Sequence, residues 1–478
     1  MSPATKAVPA STASHDADVT SELRAFMAQS WAPEIETTPA AAPVAAYAAK
    51  RRKALSAAFP GEVLVIPAGR LKFRSNDSPY AFRPYSAFVW CTGSQVEGGV
   101  LVMVPRGRSH VATLFVRARN DHNTDAFYRD RNYGELWVGP RPGVVETAAE
   151  LDIACQPLAE LAKVLHAQGA KPVRCLRGLD PDVDAAAGTA RKKADIELDR
   201  YLSEARLIKD DWEIGELQDA VDATLKGFED VVREIPATDS ERWLEGTFHR
   251  RARTDGNDVG YGSIVACGHH ACILHWTDND GPVRQGELGL LDMGVEGHNL
   301  YTADVTRTIP LSGTFSKAQK QVYRAVLRAQ EAGIEAAVAG ASFLAPHDAA
   351  MRSLTTDLVS WGLLSGDIEE LLRTQVYRRY TLHGTSHMLG MDVHDCAQAR
   401  NEFYRGGILA EGMVLTVEPG CYFQKDDLTV PADLRGIGVR IEDDIVITNG
   451  LPRVLSSAIP KKVGDIEKWM KRVQKRKR

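Results

Sequence analysis

The spacing of hydrophobic and polar residues predicts a first folded region of mixed helix and strand. Before residue 170, apolar residues recur at helical spacing or form short runs typical of strands. The predicted helices are 48–59 and 146–168, and the predicted strands are 62–67, 100–105 and 110–116. The charged run 189–204 fits a connecting helix. We therefore expect an N-terminal α/β domain over residues 46–190.

A second region begins after this helix and has longer helical patterns interleaved with strands. The predicted helices are 211–234, 240–254, 316–338 and 347–360, and the predicted strands are 262–266, 288–295 and 301–310. Ser316 is a suitable N-cap for the third of these helices. The last third alternates strands and turns up to about residue 459. We expect a second domain over residues 191–462.

The two ends of the chain have a different composition. Residues 1–45 are rich in Ala, Ser, Thr and Pro, which predicts a flexible arm with a short helix over 20–29. Residues 461–478 contain nine Lys or Arg and two acids. This favours a solvated, partly helical basic tail over 463–478, and the alternative is a contact with a nucleic acid or another partner.

Composition and net charge limit the classes of function that the chain can have. The chain has 478 residues, of which 44% are hydrophobic and 25% charged, and its net charge of −5 does not favour nucleic acid or an anionic membrane. No apolar run has the length of a membrane helix, and no secretion signal is recognisable, so we expect a cytoplasmic protein. The seven cysteines are scattered without a CxxC pair, which argues against a disulfide framework or a structural zinc site.

The first chemical signal is a predicted hairpin with two aspartates. Asp292 and Asp304 lie in apolar strands on either side of a Gly-His-Asn turn. A carboxylate in an apolar strand is costly without a partner, and two on paired strands repel each other. A cation between them would remove both problems. The alternative is that each aspartate caps a turn or pairs with Arg307.

A second pair of acids follows the same theme. Glu418 in "GMVLTVEPG" and Glu442 in "GVRIEDDIVIT" also lie in predicted apolar strands. The first segment is faintly similar to "GELGLLDMG", and the offset from Asp292 to Glu418 is 126 residues. The match suggests two related halves that face one another and each contribute carboxylates to one centre.

Three histidines lie between these pairs, in "LHGTSHMLGMDVHD". His383 and His387 are four residues apart, but the zinc-protease motif needs Glu after the first, and Gly384 stands there. Imidazole beside several carboxylates suits hard or borderline divalent ions better than thiolate-preferring ones. Two divalent ions would balance the four carboxylates and could both polarise a carbonyl and supply the nucleophile.

Together these segments resemble the metallopeptidase family of aminopeptidase P, prolidase and methionine aminopeptidase, whose fold is called pita-bread. The resemblance extends from about residue 47 to 459 and implies an α/β (α+β) protein whose C-terminal catalytic domain has pseudo-two-fold halves. It includes all five metal ligands of the family, which match Asp292, Asp304, His387, Glu418 and Glu442. The other site residues of the family match His275 in "ILHWTDND", His383, His394 and Arg440.

The resemblance implies a role for each ligand. Asp304 and Glu442 are expected to bridge two divalent metal ions. Asp292 is expected to complete the shell of one ion, and His387 with Glu418 the shell of the other. In this family the ion is usually manganese, with cobalt or zinc as substitutes. A hydroxide that bridges the two ions is expected to attack the scissile carbonyl.

The remaining site residues receive roles from the resemblance and from their chemistry. Glu418 is expected to move the proton from the nucleophile to the leaving nitrogen. His275 and His394 are expected to stabilise the tetrahedral oxyanion. His383 is expected to line the pocket for the leaving group, where proline would lie. Arg440 is expected to orient a ligand carboxylate by a hydrogen bond without binding the metal itself.

Within the family, the aminopeptidase P branch is favoured. The segment "RSNDSPYAFRPYSAFVWCTG" at 74–93 resembles the first-domain signature of that branch, as does "ADVTRT". The implied substrates are peptides with an N-terminal Xaa-Pro, and the implied assembly is a dimer or tetramer. The rivals are an Xaa-Pro dipeptidase and a non-peptidase relative that acts as a C–N hydrolase or a binding module. A methionine aminopeptidase would usually lack the long first domain.

Overall fold

The computed structural model describes residues 19–32 and 38–475 and divides into two compact units, Met1–Leu198 and Asp199–Arg478. The division falls inside a helix, α9 (Lys192–Ala205), at the position where a connecting helix was predicted. Much of the predicted flexible arm, residues 1–18 and 33–37, lies outside the described residues. The last three residues of the predicted basic tail also lie outside them.

The first unit contains seven strands, β1 Val63–Pro67, β2 Phe73–Ser75, β3 Ser78–Pro79, β4 Val100–Arg106, β5 Ser109–Val116, β6 Ala154–Pro157 and β7 Val173–Cys175. Five of them form a sheet with the order β6-β5-β4-β1-β7, and β2 and β3 form a small separate hairpin. Its helices are α1 Ser21–Met27, α2 Val44–Ala58, α3 Ser86–Thr92, α4 Asp125–Arg129, α5 Glu135–Val138, α6 Val144–Leu151, α7 Leu161–His166 and α8 Pro181–Ala186. Aliphatic residues of the central strands form the core, as the apolar runs predicted.

The helix predicted over 146–168 is wrong. The structure has α6, then the edge strand β6, then α7 after a short 3₁₀ turn. Asp152 adopts a left-handed conformation, with φ 46°, and ends α6. Pro157 ends the strand, since a proline has no N–H to continue a ladder. The apolar residues of a short helix, a strand and a second helix together have the spacing that a single long helix would have.

The second unit contains the longer helices. They are α10 Asp211–Glu234, α11 Glu241–Asp255, α12 Lys317–Ala336, α13 Ala345–Ser360, α14 Ile368–Thr374 and α15 Val463–Lys475. Ser316 caps α12 as predicted, because its side chain accepts a hydrogen bond from the Gln319 N–H. The predicted helices of this region agree with α10 to α13 to within two residues at each end.

Short antiparallel strands follow each pair of long helices. They are β8 Asp258–Val259, β9 Ile264–Cys267, β10 Leu288–Met293, β11 Val295–Glu296, β12 Val305–Pro310, β13 Val414–Val417, β14 Gly420–Tyr422, β15 Gly438–Arg440, β16 Asp443–Val446 and β17 Arg453–Val454. The first set contains the sheet β12-β10-β9 and the second the sheet β13-β16-β17. The unit thus has two halves, each with two long helices followed by strands.

The C-terminal segment departs from the predicted solvated tail. It forms α15, an amphipathic helix whose apolar face is buried in the large hydrophobic core of the second unit. The buried residues are Ile466, Trp469, Met470 and Val473. The basic residues lie on the outer face, so the charge count concealed an apolar stripe with helical spacing.

None of the described helices combines the length and the apolar composition that crossing a bilayer requires.

Candidate metal centre

Strand ends of both halves bring the predicted acids together. Asp292 lies inside β10, opposite Thr306 of β12. Asp304 directly precedes β12, Glu418 directly follows β13, and Glu442 lies between β15 and β16. The expectation that all four acids lie within strands therefore holds only for Asp292.

Backbone hydrogen bonds explain why two of these acids, Glu442 and Asp304, lie at strand ends. The Glu442 N–H donates across the halves to the Thr306 carbonyl at 3.1 Å. The Asp304 N–H donates to a carboxylate oxygen of Asp444 at 3.0 Å instead of to a strand neighbour. These bonds link β12 to the segment around β16, so side chains from both halves of the unit converge at one place.

Three of the predicted ligands form a compact group. Oxygen or nitrogen atoms of Asp304, His387 and Glu442 all lie within 4.8 Å of one another. The His387 Nε2 is 3.3 Å from an Asp304 oxygen and 3.6 Å from a Glu418 oxygen. Glu418 therefore adjoins the same group, on the side of the histidine.

Asp292 is held at the edge of this group by two donors. The Tyr261 hydroxyl donates to one of its oxygens at 2.7 Å, and an Arg440 guanidinium N–H donates to the other at 2.5 Å. Asp292 is 8% exposed, Asp304 5% and Glu442 1%. Several carboxylates are thus almost removed from water within one small volume.

Burial and mutual repulsion make the ionised form of these acids costly. Burial raises the pKa of Glu418 to about 7, although the charge of His387 acts in the opposite direction. Burial, followed by the charge of Asp304, raises the pKa of Glu442 well above its usual range. Burial also raises the pKa of Asp292, and the charge of Asp304 adds to that effect.

The group fits divalent cations. Burial alone would lower the pKa of His387, but its hydrogen bond to Asp304 and the charge of Glu418 raise it to about 9. A nearby cation would reverse these tendencies, because it stabilises ionised carboxylates and a neutral imidazole. Four carboxylates with one imidazole, and no cysteine among them, suit hard or borderline ions.

The other predicted histidines lie around this group. The His383 Nδ1 is 3.5 Å from a Glu418 oxygen, and its Nε2 is 2.8 Å from the Tyr422 hydroxyl. The His394 ring packs edge-on against His387, with 4.5 Å between ring centroids. His275 lies on the loop after β9, close enough for its charge to lower the pKa of both His383 and His394.

Both His275 and His394 are exposed, unlike the buried acids. Burial, and then the charge of Arg440, lowers the pKa of His383 to about 3. The exposed His394 ring is still partly desolvated, and this effect, followed by the charge of His387, lowers the pKa of His394. A neutral imidazole keeps one N–H, so each ring can still donate one hydrogen bond.

The alternative partners considered for these residues are engaged elsewhere. Arg307, which could have paired with the hairpin aspartates, is fully buried and forms an ion pair with Asp443 at 2.6 Å. Asp395, the residue after His394 in the sequence, is held by Lys209 at 3.1 Å and by Arg206 at short range.

Several site residues were missed in the sequence. Tyr261 donates to Asp292, the Thr306 hydroxyl donates to Glu442 at 2.6 Å, and Asp444 accepts from the Asp304 backbone. The Tyr422 hydroxyl also accepts from an Arg440 guanidinium N–H at 3.0 Å. Thr306, Asp444 and Tyr422 each lie within four residues of a predicted ligand, and Tyr261 lies just before β9, the strand that pairs with β10. Adjacency alone does not give side-chain direction.

A cavity of about 970 Å³ opens beside the group, on the side of His383. His347, Leu382, His383, His387 and His394 are among the residues that line it. The His347 ring is hydrogen-bonded to the Thr385 hydroxyl at 2.9 Å. The cavity therefore leaves space for a ligand beside these histidines.

Two family models match the chain. The model of metallopeptidase family M24 matches residues 215–449, and the model of the aminopeptidase P N-terminal domain matches residues 47–173. The chain is 54% identical to Xaa-Pro aminopeptidase 1 of Streptomyces coelicolor over 459 residues, which cover 95% of this chain and 92% of that protein. It is 35% identical to the Xaa-Pro aminopeptidase of Escherichia coli over 436 residues, which cover 88% and 96%.

Solved structures of aminopeptidase P are also similar to this chain. Aminopeptidase P of E. coli with the inhibitor Pro-Leu superposes with a TM-score of 0.79 at 31% identity, covering 90% of this chain and 99% of that one. A zinc-substituted form of that enzyme in complex with product gives the same TM-score, identity and coverage. The predicted architecture, an α/β domain followed by a pita-bread domain with two halves, is thereby confirmed.

Proposed function

The chain belongs to metallopeptidase family M24, and from this premise we propose that it is an Xaa-Pro aminopeptidase, a hydrolase that releases the N-terminal residue of peptides with proline in second position. The observation that carries the proposal is the convergence of Asp304, His387 and Glu442 within 4.8 Å, next to Glu418 and Asp292. The match of residues 47–173 to the aminopeptidase P N-terminal domain favours this enzyme over a prolidase.

The reaction uses divalent metal ions, as in other metallopeptidases of the family. We propose two ions, and the residues that would hold them are Asp292, Asp304, His387, Glu418 and Glu442. When bound, two such ions would polarise the scissile carbonyl and lower the pKa of the attacking water. Arg440 would hold Asp292 in place through the 2.5 Å hydrogen bond between them.

The remaining residues would bind the peptide and move the proton. Glu418 would accept the proton of the attacking water and pass it to the leaving nitrogen. The exposed imidazoles of His275 and His394 would donate to the oxygen on which negative charge develops. His383, on the wall of the cavity, would contact the proline ring.

A peptide series tests this proposal. We expect release of alanine from Ala-Pro-Ala-Ala and much slower release from Ala-Ala-Ala-Ala. A tertiary Xaa-Pro amide has no N–H, so a pocket must recognise the ring itself. An Xaa-Pro dipeptidase, the alternative, would instead prefer Ala-Pro, whose free carboxylate lies on the second residue. A binding module would hydrolyse none of the three, and that result would contradict the proposal.

Three finer predictions accompany the function. Manganese should support the highest activity, with cobalt and zinc as substitutes, because the donor set is mostly carboxylate.

The enzyme should form a dimer or tetramer, which light scattering would measure. It should be found in the cytoplasm and bind neither nucleic acid nor membranes, which cell fractionation and binding assays would test.

A further inference from the structure

Glu241, the first residue of α11, is a fully buried carboxylate outside the ligand group. Among the described residues, no lysine or arginine forms an ion pair with it, and the His270 imidazole contacts one of its oxygens. Burying a carboxylate is costly unless hydrogen bonds replace the water it loses. The hydrogen-bond donors around Glu241 therefore indicate the role of this buried carboxylate.

Four N–H donors surround the two oxygens of Glu241. The Cys267 backbone N–H and the His270 Nδ1 contact one oxygen, at 2.7 and 3.0 Å. The Trp276 indole N–H and the Gly281 backbone N–H donate to the other, at 2.9 and 2.7 Å. All four donors belong to one segment, residues 267–281, which contains His275.

The same segment has little freedom to rearrange. The rings of His270 and Trp276 pack with 4.0 Å between their centroids. A side chain on Gly281 would place its first carbon 2.4 Å from the His270 ring and 2.7 Å from a Glu241 oxygen. Glycine is therefore required there, and the loop closes tightly around one carboxylate.

The loop is also attached to the wall of the metal centre. Leu274 and Trp276, on either side of His275, pack against the hydrophobic cluster that contains Tyr422. The Gln424 side-chain amide donates to the Cys272 carbonyl at 2.8 Å. The neighbours of His275 in sequence thus pack against the protein, and the histidine itself is exposed.

We infer that Glu241 is a positioning residue, which gathers the loop 267–281 through four hydrogen bonds and so fixes the place of His275. The inference rests on the proposed function, in which His275 donates to the developing oxyanion. In the part of the chain that the structure describes, the hydrogen-bond partners of the Glu241 side chain include none of the five predicted metal ligands. Its effect on the reaction should therefore pass through His275.

The test is a double-mutant cycle between Glu241→Gln and His275→Ala, with kcat, KM and metal content measured on Ala-Pro-Ala-Ala. Glutamine has nearly the same shape, but its amide nitrogen would face two of the N–H donors. We expect Glu241→Gln to lower kcat about tenfold or more, with KM and metal content little changed, because a small displacement of a catalytic group has a large cost. In the His275→Ala background the same change should have almost no further effect on kcat.

Asp230→Asn provides a matched control. Asp230 is also a buried acid of the second unit, but it pairs with Arg233 and Arg251 away from this loop. Its substitution should leave kcat nearly unchanged and should be additive with His275→Ala. Trp276→Phe provides a second, milder variant, since it removes one of the four donors and keeps an aromatic ring on His270. It should lower kcat less than Glu241→Gln and also lose its effect in the His275→Ala background.

Two results would overturn the inference. One is an unchanged kcat in Glu241→Gln. The other is full additivity with His275→Ala, which would mean that Glu241 acts on the fold in general. If Glu241→Gln does not fold, additivity of Trp276→Phe with His275→Ala decides against the inference, and loss of its effect decides for it. An inactive wild-type protein would instead contradict the proposed function, so the two failures are distinguishable.

Discussion

At the scale of single residues, His394 separates binding from catalysis. It is exposed, and its ring contacts the ring of His387 without occupying a position among the buried acids. We expect His394→Ala to lower kcat roughly a hundredfold, about 3 kcal/mol, because a donor to the developing oxyanion acts mainly in the transition state. Steady-state kinetics with elemental analysis would measure this, and metal content should remain unchanged.

A matched control for His394 is His249→Ala. His249 is another exposed histidine of the second unit, and it contacts Asp258 at 2.7 Å. Its loss should leave kcat unchanged. If His394→Ala loses an ion, His394 is a ligand; if kcat is unchanged, the residue has no part in the reaction.

Asp304 should be indispensable for a different reason. Asp304→Asn keeps the shape of the side chain and the backbone bond to Asp444, but it removes one negative charge from the ligand group. We expect a folded protein that binds less than its full complement of metal and has no measurable turnover. Circular dichroism, elemental analysis and a peptide assay would measure the three properties. The comparison variant is Asp357→Asn, which affects only the ion pair with Arg328 and should behave as wild type; a wild-type rate in Asp304→Asn would exclude Asp304 from the site.

At this scale the sequence could predict which acids and histidines meet, but not what orients them. Asp292, Asp304 and Glu418 each lie in a short motif whose residue types are unusual for an apolar strand. Tyr422 and Glu241 have no such signal. Tyrosine is common in strands, and a glutamate at the start of a helix is expected for the helix dipole alone.

At the scale of elements, a count of charged residues does not show whether one face of a helix is apolar. The sequence predicts α10 with its correct bounds because its apolar stripe is long. For α15 it predicts a partly helical tail, but the basic residues conceal the burial of its apolar face. The stripe of α15 is nevertheless part of the largest core of the second unit. A short segment can thus be essential to the core although its composition is mostly polar, because only one face has to be apolar.

This placement of α15 predicts a large loss of stability in Trp469→Ala. Trp469 is 3% exposed in the core, so its removal leaves a cavity and should lower the free energy of unfolding by about 3–5 kcal/mol. Urea unfolding followed by circular dichroism would measure the change. Lys468→Ala, next to it on the exposed face, should change the free energy by less than about 0.5 kcal/mol. Equal stabilities of the two variants would mean that α15 is not docked in solution.

At the scale of the whole molecule, the site belongs to neither half of the second unit alone. Asp292 and Asp304 come from the first set of strands, and His387, Glu418 and Glu442 come from the second half of the unit. The backbone bond from Glu442 to Thr306 joins the two sets. Bound metal would therefore hold the halves together in addition to serving the reaction.

Metal removal should consequently affect activity and stability together. Without cations, burial and mutual repulsion raise the pKa of Asp292, Glu418 and Glu442, which means that their ionised forms destabilise the fold. Cations that bind only the folded protein stabilise it by about 2.7 kcal/mol at a hundred times their dissociation constant. We expect chelation to abolish turnover and to lower the melting temperature, and manganese to restore both. Calorimetry on metal-stripped protein with increasing manganese should show a melting temperature that rises with concentration, and the rise should be much smaller in Asp304→Asn. A metal-stripped sample that is shown to be free of metal yet retains full activity would refute the metal centre, whereas lost activity with an unchanged melting temperature would refute only its role in joining the halves.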